Sequence, residues 1–258
     1  MTKFLRSSSG HHLSQNFWRI FRNIAGRKLW KLMYIFSQKR KIPNLINILK
    51  DRDLNLISTL NYPNVNSNNN QNKLNFSEII KKYNTSKPAG EYRNYLDNLF
   101  LKIRPRTKTI LEVGISHAGG LLAMRDFFGN SLLWGVDIDK DTFIESDRVL
   151  KCDWVDQLKL ETLEENARNF FTKFDLIVDD GWHHPESQIN TLIAYLPYLN
   201  TGGTYILEDI VHNEYFKYFN EIKKILEEKN FSCDYLNFEM HGSSEISDNL
   251  GYLIIKRI

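Results

Sequence analysis

From Thr109 onward, short apolar runs alternate with stretches long enough for a helix. The runs are Thr109-Ile-Leu-Glu-Val-Gly114, Leu132-Leu-Trp-Gly-Val-Asp137, Arg148-Val-Leu-Lys-Cys-Asp153, Phe174-Asp-Leu-Ile-Val-Asp179 and Thr204-Tyr-Ile-Leu-Glu-Asp209. Nearly continuous apolar runs, rather than strict alternation, predict strands buried on both faces, so this pattern predicts an α/β domain whose mostly parallel sheet is covered by helices. Two late runs, Cys233 to Met240 and Tyr252 to Ile255, are separated only by a Gly-Ser-Ser turn region. That leaves no room for a crossover helix, and the two are predicted to pair antiparallel at the end of the sheet.

Ahead of the sheet the period changes to that of helices. Phe17, Ile20, Phe21 and Ile24 follow the i, i+3, i+4, i+7 template, and Leu29, Leu32, Met33 and Phe36 repeat it beyond Gly26. After Pro43, the run Leu45 to Leu49 predicts one more short helix. The Asn-rich stretch from Asn61 to Lys73 cannot support a core and reads as a linker. The expected organisation is a helical N-terminal segment over residues 1–60, a linker over 61–75 and a sheet domain over 76–258.

Charge sharpens that division. Residues 1–50 hold eleven of the 34 Lys and Arg and no acid, so the remainder carries 23 basic against 31 acidic side chains beneath a net charge of only +3. The basic arm is read either as docking on the body or on a second subunit, or as lying on an anionic membrane surface with Trp18 and Trp30 at the interface. No recognisable motif accompanies the charge, and nucleic acid is not an expected partner. No run of about 18 apolar residues predicts a spanning helix. Two cysteines, Cys152 and Cys233, make no disulfide framework, and the expected location is the cytoplasm, with peripheral membrane contact through the arm.

The chemistry collects at the ends of the strands. Glu112, Asp137, Asp153, Asp179 with Asp180, and Glu208 with Asp209 recur at or near their carboxyl ends, the edge where open α/β sheets bind ligands. Asp179-Asp180-Gly181-Trp182-His183 closes one strand, and Glu208-Asp209 follows Asp180 by 28 and 29 positions. Carboxylates and an imidazole at the ends of buried strands are costly unless something positive sits among them, which points to a divalent metal ion. Gly114, Ser116, Gly119 and Gly120 form a glycine-rich turn into a helix, and Asp137 lies 25 residues after Glu112, where such folds hold an acid against ribose hydroxyls. The spacing is not G-x-G-x-x-G, so the pattern supports a nucleoside rather than a pyrophosphate.

These residues resemble the class I S-adenosylmethionine-dependent methyltransferases, specifically the metal-dependent sugar O-methyltransferases of macrolide and related pathways. The resemblance is carried by Ile110-Leu-Glu-Val-Gly114, Gly135-Val-Asp-Ile-Asp139, Asp179-Asp-Gly-Trp-His183 and Gly202-Gly-Thr-Tyr-Ile-Leu-Glu-Asp209, and covers roughly residues 78–258. Tyr83-Asn-Thr-Ser-Lys87, with Tyr92 and Tyr95, is similar to the family's Thr-Asp-Lys motif with Ser86 in place of the acid. The resemblance implies a seven-stranded Rossmann-like sheet with an antiparallel last strand. It also implies magnesium or another hard divalent ion on Asp180, Glu208 and Asp209, and His183 as general base. Glu112, Gly114, Ser116, Gly119, Asp137, Asp153 and Asp179 are the cofactor-binding residues expected on this reading, with Asp153 near adenine. Trp182 stands where the family has Ser.

The implied reaction is magnesium-assisted methylation of a sugar hydroxyl on a glycan, glycolipid or glycosylated metabolite. A histidine, ordinarily near pKa 6.5 and largely neutral at pH 7, suits the task of accepting the hydroxyl proton. The competing readings are a metal-dependent methyltransferase of a catechol-like diol, and a non-catalytic module that keeps a nucleoside pocket and uses its arm at a membrane or partner.

Overall fold

The computed structural model describes residues 41–55, 74–83, 91–139, 149–210, 215–238 and 250–258. The expected helices between Phe17 and Phe36, the Asn-rich stretch 61–73, Thr85 to Lys87 and the Gly242-Ser-Ser turn lie outside the described residues. By internal packing the chain divides into Met1–Asn44 and Leu45–Ile258, and the larger unit holds every strand among the described residues. It reaches back into the segment expected to end at residue 60: Arg52 meets Glu164 at 2.7 Å, and Arg257 donates to the Asn55 side chain at 2.7 Å.

The elements are α1 (41–51), α2 (Phe76–Ile80), α3 (Glu91–Ile103), β1 (Thr109–Val113), α4 (Gly119–Phe128), β2 (Leu132–Asp137), β3 (Val149–Trp154) and α5 (Leu160–Arg168). Then follow β4 (Phe174–Asp179), α6 (Pro185–Tyr195), a 3-10 turn (Leu196–Tyr198), β5 (Leu199–Ile210), α7 (Phe216–Glu227), β6 (Phe231–Phe238) and β7 (Leu250–Arg257). The sheet runs β3-β2-β1-β4-β5-β7-β6. Pairing is parallel from β3 to β5, and β7 is antiparallel to both of its neighbours. The runs from Thr109, Leu132, Arg148, Phe174 and Thr204 therefore form the parallel strands, and the two late runs form the antiparallel pair, as the pattern predicts.

Two apolar layers hold the sheet. On one side Phe76, Phe100 and Phe127 pack edge to face, with ring centroids 4.8 Å apart for the first two and 5.7 Å between Phe76 and Phe127, and bind α2, α3 and α4 to Ile110, Leu176 and Ile206. A second aromatic group joins the indole of Trp134 to Phe170 and Phe174, at 5.0 and 6.4 Å. Each such ring buried contributes on the order of 1.5–3 kcal/mol.

Between β1 and β4 the strand order reverses, which opens the crevice at the carboxyl edge. The register Val113↔Asp179 and Asp179↔Leu207 brings the last residues of β1 and β4 level with Leu207 of β5. The acids that follow them, Asp180 and Glu208, therefore emerge side by side.

Cys233 on β6 is buried, and burial pushes its thiol up to about 12. Since the thiolate is the nucleophile, Cys233 in a Cys152→Ser background is expected to react with iodoacetamide at pH 8 at least about a hundredfold more slowly in the native protein than in urea. Alkylation followed by mass spectrometry measures this, and equal rates would contradict the burial.

Candidate active site

The first acid-bearing loop follows β4. Asp180 N–H donates to the Val113 carbonyl at 2.9 Å, tying the loop to the neighbouring strand. Gly114, at φ +82°, and Gly181 press together there: a Cβ on Gly114 would lie 2.3 Å from the Gly181 Cα. Only glycine meets both conditions at position 114, positive φ and contact with backbone.

Gln157, beyond β3, clamps the same loop. Its Oε1 accepts the Trp182 N–H at 2.8 Å, and its Nε2 donates to Asp179 Oδ1 at 3.2 Å and to Thr191 Oγ1 at 3.0 Å. Helix α6 then begins with Pro185 at its first turn and His184 as its cap, the imidazole Nδ1 accepting the Glu186 N–H at 3.3 Å. His184 is thereby structural, and His183 is the imidazole left facing the acids.

The second acid-bearing segment is a bulge in β5. Pairing with β7 is regular at Leu207↔Leu253 and resumes at Ile210↔Gly251, so Glu208 and Asp209 together oppose the single residue Tyr252. Asp209 takes φ +52°, an uncommon conformation for a residue with a Cβ, and the two carbonyls drop out of the ladder. Gln188, buried on α6, meets that deficit by donating to the Glu208 carbonyl at 2.8 Å and the Asp209 carbonyl at 3.4 Å.

The two segments bring Asp180, His183 and Asp209 together, with a ligand atom from each lying within 4.8 Å of the others. His183 Nε2 stands 3.5 Å from Asp209 Oδ2, and its Nδ1 is buried without a hydrogen-bond partner. Glu208, expected with them, is 2% exposed and faces the hydroxyl of Tyr92 instead, outside the converging trio. Tyr252 donates to Asp209 Oδ1 at 2.8 Å. Burial first, then the charge of Glu208 on Tyr92 and of Asp209 on Tyr252, holds both phenols well above their ordinary pKa. Oxygen donors with one imidazole, and an orphaned ring nitrogen among them, fit a hard divalent cation.

The residues expected at the cofactor divide into two sets. Asp137 is half-buried at the rim, accepting the Ser116 N–H at 2.8 Å and the Asp139 N–H at 2.9 Å, and Ser116 and Ala118 take positive φ in the turn that ends at Gly119. Glu112 is 1% exposed and lies against the first turn of α4, since a Cβ on Gly120 would sit 2.4 Å from its Oε1.

Asp153 and Asp179 also turn inward. Trp134 Nε1 at 3.1 Å and Asn166 Nδ2 at 2.7 Å both donate to Asp153 Oδ2, and Asp179 is enclosed by Gln157, the Gly181 N–H and the Tyr205 hydroxyl. Exposed apolar side chains, Ile138 after β2 and Trp154 at the end of β3, line the rim beside Asp137, with Trp154 paired to it in register. Sequence reasoning passed over both because an apolar residue at a strand end reads as core.

The strand order, with β7 antiparallel to both of its neighbours, defines a Rossmann-like fold whose acids collect around the β1/β4 crevice. Among solved structures, the chain is similar to the MycE methyltransferase from the mycinamycin biosynthetic pathway in complex with Mg and SAH, with a TM-score of 0.55 and 21% identity over 72% of this chain and 55% of that one. The same enzyme in complex with Mg, SAH and mycinamycin VI gives a TM-score of 0.54 at 21% identity, over 72% of this chain and 54% of that one. In sequence it resembles the demethylmacrocin O-methyltransferase of Streptomyces fradiae, 29% identical over 54% of this chain and 37% of that protein. It likewise resembles the mycinamicin VI 2''-O-methyltransferase of Micromonospora griseorubida, 28% identical over 54% of this chain and 36% of that protein. The chain spans just over a third of the length of these curated relatives. No family model matches.

Asp179 carries a testable electrostatic signature. Burial raises its carboxyl from 3.8 to about 7 against the lowering effect of its three donors. The folded protein holds this proton more tightly than the unfolded chain, so the group's contribution to stability is complete below about pH 4 and is lost as pH rises through about 7. In metal-free protein, Asp179→Asn is expected to flatten the fall of melting temperature between pH 5 and 8 and to melt higher than wild type at pH 8. Parallel melting curves for the two proteins across that range would refute the assignment.

Proposed function

We propose that this chain is an S-adenosylmethionine-dependent O-methyltransferase that acts, with magnesium or another hard divalent ion, on a hydroxyl of a sugar-containing acceptor. The observation that carries the reading is the convergence of Asp180, His183 and Asp209 at the carboxyl edge beside the β1/β4 crevice. The sequence likeness to sugar O-methyltransferases supports the acceptor class.

In this reading Asp180 and Asp209, joined by Glu208, would hold the cation, and the turn from Gly114 to Gly119 together with Asp137 would receive the nucleoside of the methyl donor. Ile138 and Trp154 offer apolar faces for its base. When bound, the cation supplies Lewis-acid polarisation that lowers the pKa of the acceptor hydroxyl. His183 takes the hydroxyl proton, the oxygen forms a bond to the methyl carbon, and the carbon–sulfur bond breaks with its electron pair leaving on sulfur. Asp209 faces His183 Nε2 and steadies the imidazolium that results. Trp182, 43% exposed beside His183, presents a ring face to the acceptor.

His183→Ala is expected to lower kcat by roughly 10²–10⁴-fold, the range of a general base, with S-adenosylhomocysteine binding by calorimetry unchanged. Asp180→Asn is expected to abolish Mn²⁺ binding and turnover together. Assays with rhamnosides and catechols, with and without chelator, separate the acceptor classes: turnover of catechols alone would replace the sugar reading, and turnover insensitive to chelator would remove the metal from it.

A further inference from the structure

Opposite the β5 bulge stands a feature that neither acid-bearing loop supplies. Tyr92, near the start of α3, and Tyr252, on β7, stack with ring centroids 3.8 Å apart and planes inclined by 19°. They come from opposite ends of the domain sequence and are 2% and 1% exposed. The two rings present their hydroxyls to the two acids of the bulge: that of Tyr252 donates to Asp209 Oδ1 at 2.8 Å, and that of Tyr92 faces Glu208.

The geometry at Asp209 shows what the contact does. One carboxylate oxygen is taken by Tyr252, while the other faces His183 Nε2 at 3.5 Å. A carboxylate on a bulged residue with positive φ has no ladder to fix its direction, so the hydroxyl selects which oxygen points into the cluster. Tyr252 is the one β7 residue opposite the bulge, and its stacking on Tyr92 fixes the ring that carries the hydroxyl. Tyr92 in turn stands where it can direct Glu208, the one expected ligand that lies outside the trio.

We propose that Tyr92 and Tyr252 are a positioning pair that orients Asp209 and Glu208 and thereby sets the affinity of the site for its divalent cation. The proposal rests on the metal-assisted reading above. Partners that orient metal-binding carboxylates from behind typically change metal affinity by 10–100-fold when removed.

Phe at either position keeps the stacked rings and removes only the hydroxyl. The test is Mn²⁺ binding to full-length wild type, Tyr252→Phe, Tyr92→Phe and Tyr235→Phe, read by electron paramagnetic resonance of free Mn²⁺ and by calorimetry. Tyr235 is the control: it packs against Gly251, next to Tyr252, and its hydroxyl is buried without a hydrogen bond to any acid of the site. The expected result is a Kd raised at least tenfold in Tyr252→Phe and Tyr92→Phe and unchanged in Tyr235→Phe, with kcat at saturating Mg²⁺ within a fewfold of wild type. A merely structural role predicts lower melting temperatures with unaltered Mn²⁺ affinity. Wild-type-like Kd in both Phe variants overturns the pairing alone, whereas a wild type that binds no Mn²⁺ overturns the metal-assisted reading along with it.

Discussion

Like charges resist being gathered, and the carboxyl edge of this sheet gathers them. Asp180 and Asp209 leave adjacent strands and converge with His183, and in a regular strand, where successive side chains point to opposite faces, pairing alone would set the direction of Asp209. The bulge breaks that alternation. Its cost is a strained φ at Asp209 and two carbonyls outside the ladder, and the amide of Gln188 offsets the second part.

Helix α6 explains why the arrangement is rigid. It is buried along its whole length, yet Ser187, Gln188, Asn190 and Thr191 are polar. Each is spent on a neighbouring segment: Ser187 on the Trp182 carbonyl, Gln188 on the bulge, Asn190 and Thr191 on Gln157. Each of these bonds favours one arrangement, since a displacement that breaks it leaves a donor or acceptor desolvated. The helix works as the common anchor of both acid-bearing segments.

The sheet was legible because its strands are buried on both faces and therefore nearly continuous in apolar residues. The start of β5 was not: Asn200-Thr-Gly-Gly203 reads as a turn, yet the strand begins at Leu199 and shifts register against β4. At the site, Asp180, His183 and Asp209 were legible from acids at strand ends and from a family likeness. The inward turn of Glu112, Asp153 and Asp179 was not legible for one shared reason: sequence marks an acid at a strand end but not the face to which its carboxylate turns. Gln157, Gln188 and Tyr252 gave no local signal, because their importance lies in what they reach across the fold. A glutamine on a buried helix and a tyrosine in an apolar strand look like ordinary packing until the bulge they serve is seen.

At Trp182 the main chain is fastened on both sides, its N–H to Gln157 Oε1 and its carbonyl to Ser187 Oγ, and neither fastening uses the indole. The path of the loop is therefore indifferent to which residue occupies this position. Single substitutions can thus change the surface at the mouth of the crevice while the acid-bearing scaffold a residue away keeps its path.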